Sequence, residues 1–116
     1  MKLRIQDDSV RFRLTRKEVA HLRDRGFVDC AVRFRGNQTL GYSVRSSPDA
    51  AAISVSYAGD AVMAVLPAAM AMAWAESNEI TLEGSDSGVR ILIEKDFQCL
   101  HQAEPLDPEA YPHPHA

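Results

Sequence analysis

Cysteine, tryptophan and long uncharged runs are all scarce in this chain. It has two cysteines and one tryptophan in 116 residues. Two cysteines cannot make the disulfide framework that staples small secreted domains. Cys30 and Cys99 each sit in an apolar, strand-like stretch, so the pattern predicts buried free thiols. The opening Met1-Lys2-Leu3-Arg4-Ile5-Gln6-Asp7-Asp8 has no apolar signal core. The longest run without charge, Ala61 to Ala75, is interrupted by Pro67 and falls short of the ~20 apolar residues a membrane helix needs. No serine or cysteine stands on a glycine-flanked elbow, and no glycine loop is built to cradle phosphate. The expectation is a soluble, cytoplasmic protein with no membrane partner, no cofactor and no catalytic residue that the sequence can name.

What is present is ordinary in amount and uneven in placement. Hydrophobic residues make up 46% and charged residues 25%, the balance of a globular domain. A single domain is expected over residues 1–102, followed by a proline-rich tail over 103–116. Eleven of the 13 Lys and Arg fall in the first 45 residues, with only five of the 16 acids. The net charge of −3 therefore hides a basic first part and an acidic second.

Period-two alternation dominates the pattern. Leu3 and Ile5, then Val10, Phe12 and Leu14, alternate with polar residues around Asp7-Asp8-Ser9 and predict a hairpin. Thr15-Arg16-Lys17-Glu18 has the form of a capping box, with helix beyond it, Val19 and Leu22 inward and Gly26 as the left-handed stop. Val28, Cys30, Val32 and Phe34 alternate with Asp29, Ala31, Arg33 and Arg35. Leu40, Tyr42 and Val44 return after Gly36-Asn37. Ile53, Val55 and Tyr57, then Val62 to Leu66, predict a third hairpin around Gly59-Asp60. Pro67 suits the first turn of a second helix, which is apolar nearly all round and so is expected to be buried or covered by another subunit. Ile80 and Leu82 predict a strand, Gly84 to Gly88 a loop, and Val89 to Glu94 a last strand placed centrally because Ile91-Leu92-Ile93 is apolar on both faces. The order β-β-α-β-β-β-β-α-β-β reads as two ββαββ halves. The fold class is α+β: an antiparallel sheet or partly closed barrel of about eight strands, with both helices packed on it.

Several stretches carry a resemblance. Met1-Lys2-Leu3-Arg4-Ile5, Ser9-Val10-Arg11-Phe12-Arg13-Leu14, Glu18-Val19, Val65-Leu66-Pro67, Trp74-Ala75-Glu76-Ser77 and Ile93 to Leu100 together resemble a family of small uncharacterised bacterial proteins. That resemblance implies a stand-alone bacterial protein and carries over no activity. Leu66-Pro67, a short helix and Asn78 to Leu82 also resemble swapped-hairpin DNA-binding domains. Those place a basic residue soon after the proline, where this chain has Ala68-Ala69, which removes charge needed for phosphate contacts.

Three sets of residues are candidates for function. Alternation turns Arg4, Arg11, Arg13, Arg33 and Arg35 away from the apolar side, where they could bind a polyanion such as nucleic acid. The aromatics Phe12, Phe34 and Tyr42 are expected in the core, so no stacking platform accompanies the arginines. Glu79, Glu83 and Glu94 are placed to pair with them instead, which favours structural charge pairing over a nucleic-acid partner. Met70, Met72 and Trp74 on the apolar helix serve either the core or a homodimer interface. His101, His113 and His115 could meet a metal, but nothing in their surroundings would orient them, so no metal site is assigned. Binding or self-association without catalysis is the function expected, with polyanion binding and a small enzyme of undetermined class as alternatives.

Overall fold

The computed structural model describes residues 1–97 and 108–111. Its order is β1 (Lys2–Gln6), β2 (Ser9–Leu14), α1 (Arg16–Arg25), β3 (Phe27–Phe34), a 3₁₀ turn (Arg35–Asn37), β4 (Gln38–Ser47), β5 (Ser54–Ala58), β6 (Ala61–Pro67), α2 (Ala68–Ala75), β7 (Thr81–Asp86) and β8 (Val89–Lys95). This is the α+β class that the alternation predicts, with eight strands and two helices. Of Gly84 to Gly88, expected as a loop from its Gly/Ser/Asp composition, only Ser87-Gly88 form the turn; Gly84, Ser85 and Asp86 supply the end of β7, because they pair with Ile91, Arg90 and Val89.

Local chemistry explains α1. Glu18 N–H donates to Thr15 Oγ1 at 3.3 Å and Thr15 N–H donates to Glu18 Oε1 at 2.9 Å, so two otherwise orphaned donors are satisfied at once. Arg23 and Arg25 lie in the last turn, where cations suit the helix dipole. Gly26, at φ +87°, closes the helix by donating to Leu22 O. Val19 and Leu22 are its buried residues, one turn apart and facing the sheets.

Pairing goes beyond what alternation can specify. There are two four-stranded sheets, ordered β1-β2-β8-β7 and β3-β4-β6-β5. Each joins two antiparallel hairpins through a central parallel pair, β2 with β8 and β4 with β6. The sheets are thus mixed, and each takes one hairpin from each ββαββ half. The halves correspond bond by bond. Arg90 N–H donates to Asp8 O at 2.8 Å, and Gly41 N–H donates to Asp60 O at 2.9 Å. Ser46 N–H donates to Gly26 O, and Lys95 N–H to Ile80 O. The chain is therefore an internal pseudo-dimer whose halves have exchanged hairpins.

One core lies between the sheets and under the helices. Phe12, Leu14, Val44, Leu66, Trp74, Ile91 and Ile93 are all buried there. Leu14 and Leu66 occupy equivalent places, as do Leu22 and Trp74. At ~25 cal/mol per Å2 of apolar surface removed from water, each such side chain contributes roughly 1.5–3 kcal/mol. The central position expected for Ile91-Leu92-Ile93 holds, since β8 is flanked by strands on both sides.

Two expected core residues are not in the core, and two more, Cys30 and Tyr42, are only partly buried at its margin. Val32 is 41% and Phe34 57% exposed, although both share the face of buried Val28. The β3–β4 register continues to Phe34↔Gln38, whereas the equivalent β7–β8 hairpin ends at Asp86↔Val89. The two extra pairs, Arg33↔Thr39 and Phe34↔Gln38, extend past the equivalent hairpin and leave Phe34 largely uncovered among the described residues, while Val32, at the place of Asp86, borders a cleft with Leu3 and Ile5.

Candidate functional site

The predicted arginines divide between the sheets. Lys2 pairs with Arg13 and Arg4 with Arg11 across β1–β2, and β8 brings Glu94 beside Arg13 and Leu92 beside Arg11. Arg33 belongs to β3 of the other sheet and Arg35 to the turn after it. The five therefore do not lie on one sheet face.

On the first sheet the cations meet carboxylates. Arg13 Nε donates to Glu94 Oε1 at 2.7 Å, and Arg11 Nε lies 3.6 Å from the same oxygen. Thr81 Oγ1 donates to Glu94 Oε2 at 3.3 Å. Lys2 pairs with Asp96 at 3.0 Å, and Arg90 pairs with Glu83 at 2.9 Å. The Arg90 hydrogen bond and charge hold the Glu83 carboxyl below its ordinary value. Such exposed pairs contribute at most about 1 kcal/mol each, but they offset much of the positive potential that a polyanion would need; Arg4 makes no ion pair among the described residues. Of the three acids expected to pair with the predicted arginines, Glu94 does so; Glu83 pairs instead with Arg90 of the adjoining strand, and Glu79 forms no ion pair among the described residues.

A second polar inlay joins β1 to α1. The Met1 ammonium pairs with Glu18 Oε2, and Tyr42 O–H donates to Met1 O at 3.3 Å. Burial disfavours both charges of the Met1–Glu18 pair. Their mutual hydrogen bond and attraction outweigh it, raising the ammonium pKa and lowering that of Glu18. Burial, followed by the neighbouring Cys30 thiol, pushes the Tyr42 hydroxyl up. Cys30 is a free thiol; Cys99 lies outside the described residues.

The apolar helix is only half covered. Trp74 is 0% exposed and Ala71 is buried beside it, while Met70 and Met72 are 37% and 44% exposed. Trp74 is therefore a core residue and is not available to an interface. Its indole N–H donates to Ile80 O at 3.1 Å, and Lys95 Nζ stands 5.4 Å from the ring centroid.

A wide groove lies where α1, the end of α2 and the end of β8 meet. It encloses about 1020 Å3. Leu14, Val19, Ala20, Ala75, Ile80 and Phe97 supply its apolar lining, and Arg16, Arg23 and Lys95 its cations. Among the described lining residues Asp96 is the one acid, and its carboxylate already faces Lys2. Among the described residues Arg16 makes no ion pair and Arg23 bonds only its neighbour Asp24, while Lys95 donates to Ser77 O at 2.7 Å. Sequence reasoning missed this groove because its walls come from three separate stretches of the chain. The one local signal was Ile80 and Phe97, large apolar residues just outside strands. A smaller cleft of about 360 Å3 lies under the overhanging hairpin, lined by Leu3, Ile5, Val32, Leu40 and Tyr42.

No group of three or more His, Cys, Asp or Glu is placed to hold a metal among the described residues. His101, His113 and His115 lie outside them. No helix among the described residues is long and apolar enough to cross a membrane. Ala68 and Ala69 open α2, so the cations that swapped-hairpin DNA-binding domains carry after their proline are missing here. No curated protein and no solved structure matches the chain. A family model described as "Family of unknown function (DUF7009)" matches residues 1–115, and the chain belongs to that family.

Proposed function

We propose that this protein is a non-catalytic binding domain that seats an amphipathic anion, an apolar body carrying a carboxylate or sulfonate, in the groove between α1, α2 and the end of β8. The single supporting observation is the composition of that groove. It combines about 1020 Å3 of space and an apolar lining with three cations, Arg16, Lys95 and the Asp24-paired Arg23, against one acid that faces Lys2. A concavity of this size with a few convergent polar groups is the usual form of a small-ligand site. The arginine face of the first sheet is the weaker candidate, because Glu83, Glu94 and Asp96 offset most of its charge.

Titration with 8-anilinonaphthalene-1-sulfonate tests the site, with laurate as competitor. The expected result is a fluorescence rise that laurate reverses. The double variant Arg16→Glu/Arg23→Glu should weaken binding by at least about tenfold, equivalent to ~1.4 kcal/mol. Absence of binding, or binding that the double variant leaves unchanged, would overturn the assignment.

A further inference from the structure

β3 is an edge strand, and its free side is written in a self-complementary order. Ser46 N–H donates to Gly26 O, which makes Gly26 and Ser46 a hydrogen-bonded pair of the β3–β4 ladder. Alternation then turns the backbone groups of Val28, Cys30, Val32 and Phe34 toward β4. Those of Phe27, Asp29, Ala31 and Arg33 face the open edge. His21 Nδ1 lies 2.7 Å from Phe27 O, in agreement with that phase, and covers only the first of the four. Among the described residues nothing bonds the backbone groups of Asp29, Ala31 and Arg33.

Placed antiparallel to itself about Ala31, this strand meets matching chemistry at every step. Asp29 falls opposite Arg33 of the second copy, and Arg33 opposite Asp29. Cys30 falls opposite Val32, and Val28 opposite Phe34. Arg33 makes no ion pair among the described residues. Asp29, half exposed and bonded to Arg45 at 3.1 Å, keeps room for a second cation. The exposed side chains of Val32 and Phe34 gain cover on the other side of the ladder. Registers shifted by one residue set Asp29 against Val32 or Phe34 and lose the charge match, because opposed residues point to the same face.

We infer that the protein forms a symmetric homodimer through β3, joining its second sheet to that of another copy as one continuous eight-stranded sheet. The occupant of this edge is a second copy of the chain, because the strand's own sequence supplies the matching charge order. An isologous twofold contact of this kind is the commonest oligomeric arrangement, and strand addition provides both backbone bonds and side-chain register. The dimer also answers the hazard of an open edge, since a paired edge no longer recruits other chains.

Light scattering after gel filtration of the full chain, across a concentration series, tests the inference. The wild type should reach twice its 12.8 kDa mass. Ala31→Pro removes an N–H that the monomer does not use, and should leave a folded monomer by circular dichroism. Arg33→Asp sets like charges opposite each other and should weaken the dimer by at least about tenfold. Adding Asp29→Arg to that variant should restore it. The charge variants decide the question if the proline variant fails to fold. With Cys30 and Cys99 replaced by serine, Ala31→Cys should cross-link under mild oxidation, because a hydrogen-bonded antiparallel pair sets Cα atoms about 5.5 Å apart, within disulfide reach. A wild type that stays monomeric would overturn the inference. So would a dimer indifferent to Arg33→Asp, one that Ala31→Cys fails to cross-link, or one abolished by Met70→Glu/Met72→Glu instead.

Discussion

Trp74 shows how one side chain can tie two distant parts of the chain together. The ring is fully buried, its only polar atom donates to Ile80 O, and the Lys95 ammonium stands over it. Trp74→Ala should cost about 3–5 kcal/mol in urea unfolding, because it combines a large cavity with lost packing. Trp74→Phe should cost less, roughly 1–3 kcal/mol, chiefly through the smaller cavity it leaves, because Ile80 O still accepts from Lys95 N–H. Gly84 is constrained differently. A Cβ built there would sit 2.8 Å from Ile53 Cβ, so β7 and the residue before β5 approach as closely as they do only because Gly84 has no side chain. Gly84→Ala should lower stability by about 1–3 kcal/mol, the usual cost of overpacking. Glu18 sets part of the pH response. Its pKa is lowered in the folded state, so the unfolded chain binds the proton more readily. The Glu18 contribution is complete above the ordinary carboxylate pKa and is lost as pH falls through the depressed folded value. Unfolding curves measured between neutral and acid pH should therefore lose stability less steeply in Glu18→Gln than in the wild type.

Among the elements, the β3–β4 hairpin separates what alternation reports from what it cannot. Period two says that Phe12 and Phe34 share the apolar side of their strands, and that is true of both. It does not say whether another layer lies over that side. Phe12 is covered; Phe34, on the overhang, is not. Phe12→Ala should accordingly cost about 3–5 kcal/mol in urea unfolding, and Phe34→Ala in the monomer less than about 1 kcal/mol. Signals carried by neighbouring residues were legible throughout. The Thr15–Glu18 box, the Gly26 stop and the Gly59-Asp60 turn all form where their chemistry placed them. Partners far apart in the chain were not. Nothing near Ser9–Leu14 announces that it lies parallel to β8, because a parallel pair needs no turn between its strands. The same limit hid the groove, whose lining runs from Leu14 to Phe97. Gly84 to Asp86 failed for the opposite reason: loop-like composition was overridden by pairing with β8.

For the whole molecule, the decisive property is that neither half owns a sheet. β1 and β2 need β7 and β8, and β3 and β4 need β5 and β6. Cut in the connection between β4 and β5, the two fragments should each lack stable structure by circular dichroism and recover the native spectrum on mixing. Independent folding of either fragment would show that hairpin exchange is not required. The duplication also explains how the halves could diverge in charge while keeping one frame. α1 carries Arg16, Lys17, Arg23 and Arg25, whereas α2 has no charged residue at all, yet Leu22 and Trp74 fill matching places in the core. The parallel seam between β2 and β8 has a further consequence for biosynthesis. A nascent chain cannot close its first sheet until Lys95 has cleared the ribosome, so this domain must fold after nearly all of it has been translated. Its early, arginine-rich strands pass that interval without their acidic partners.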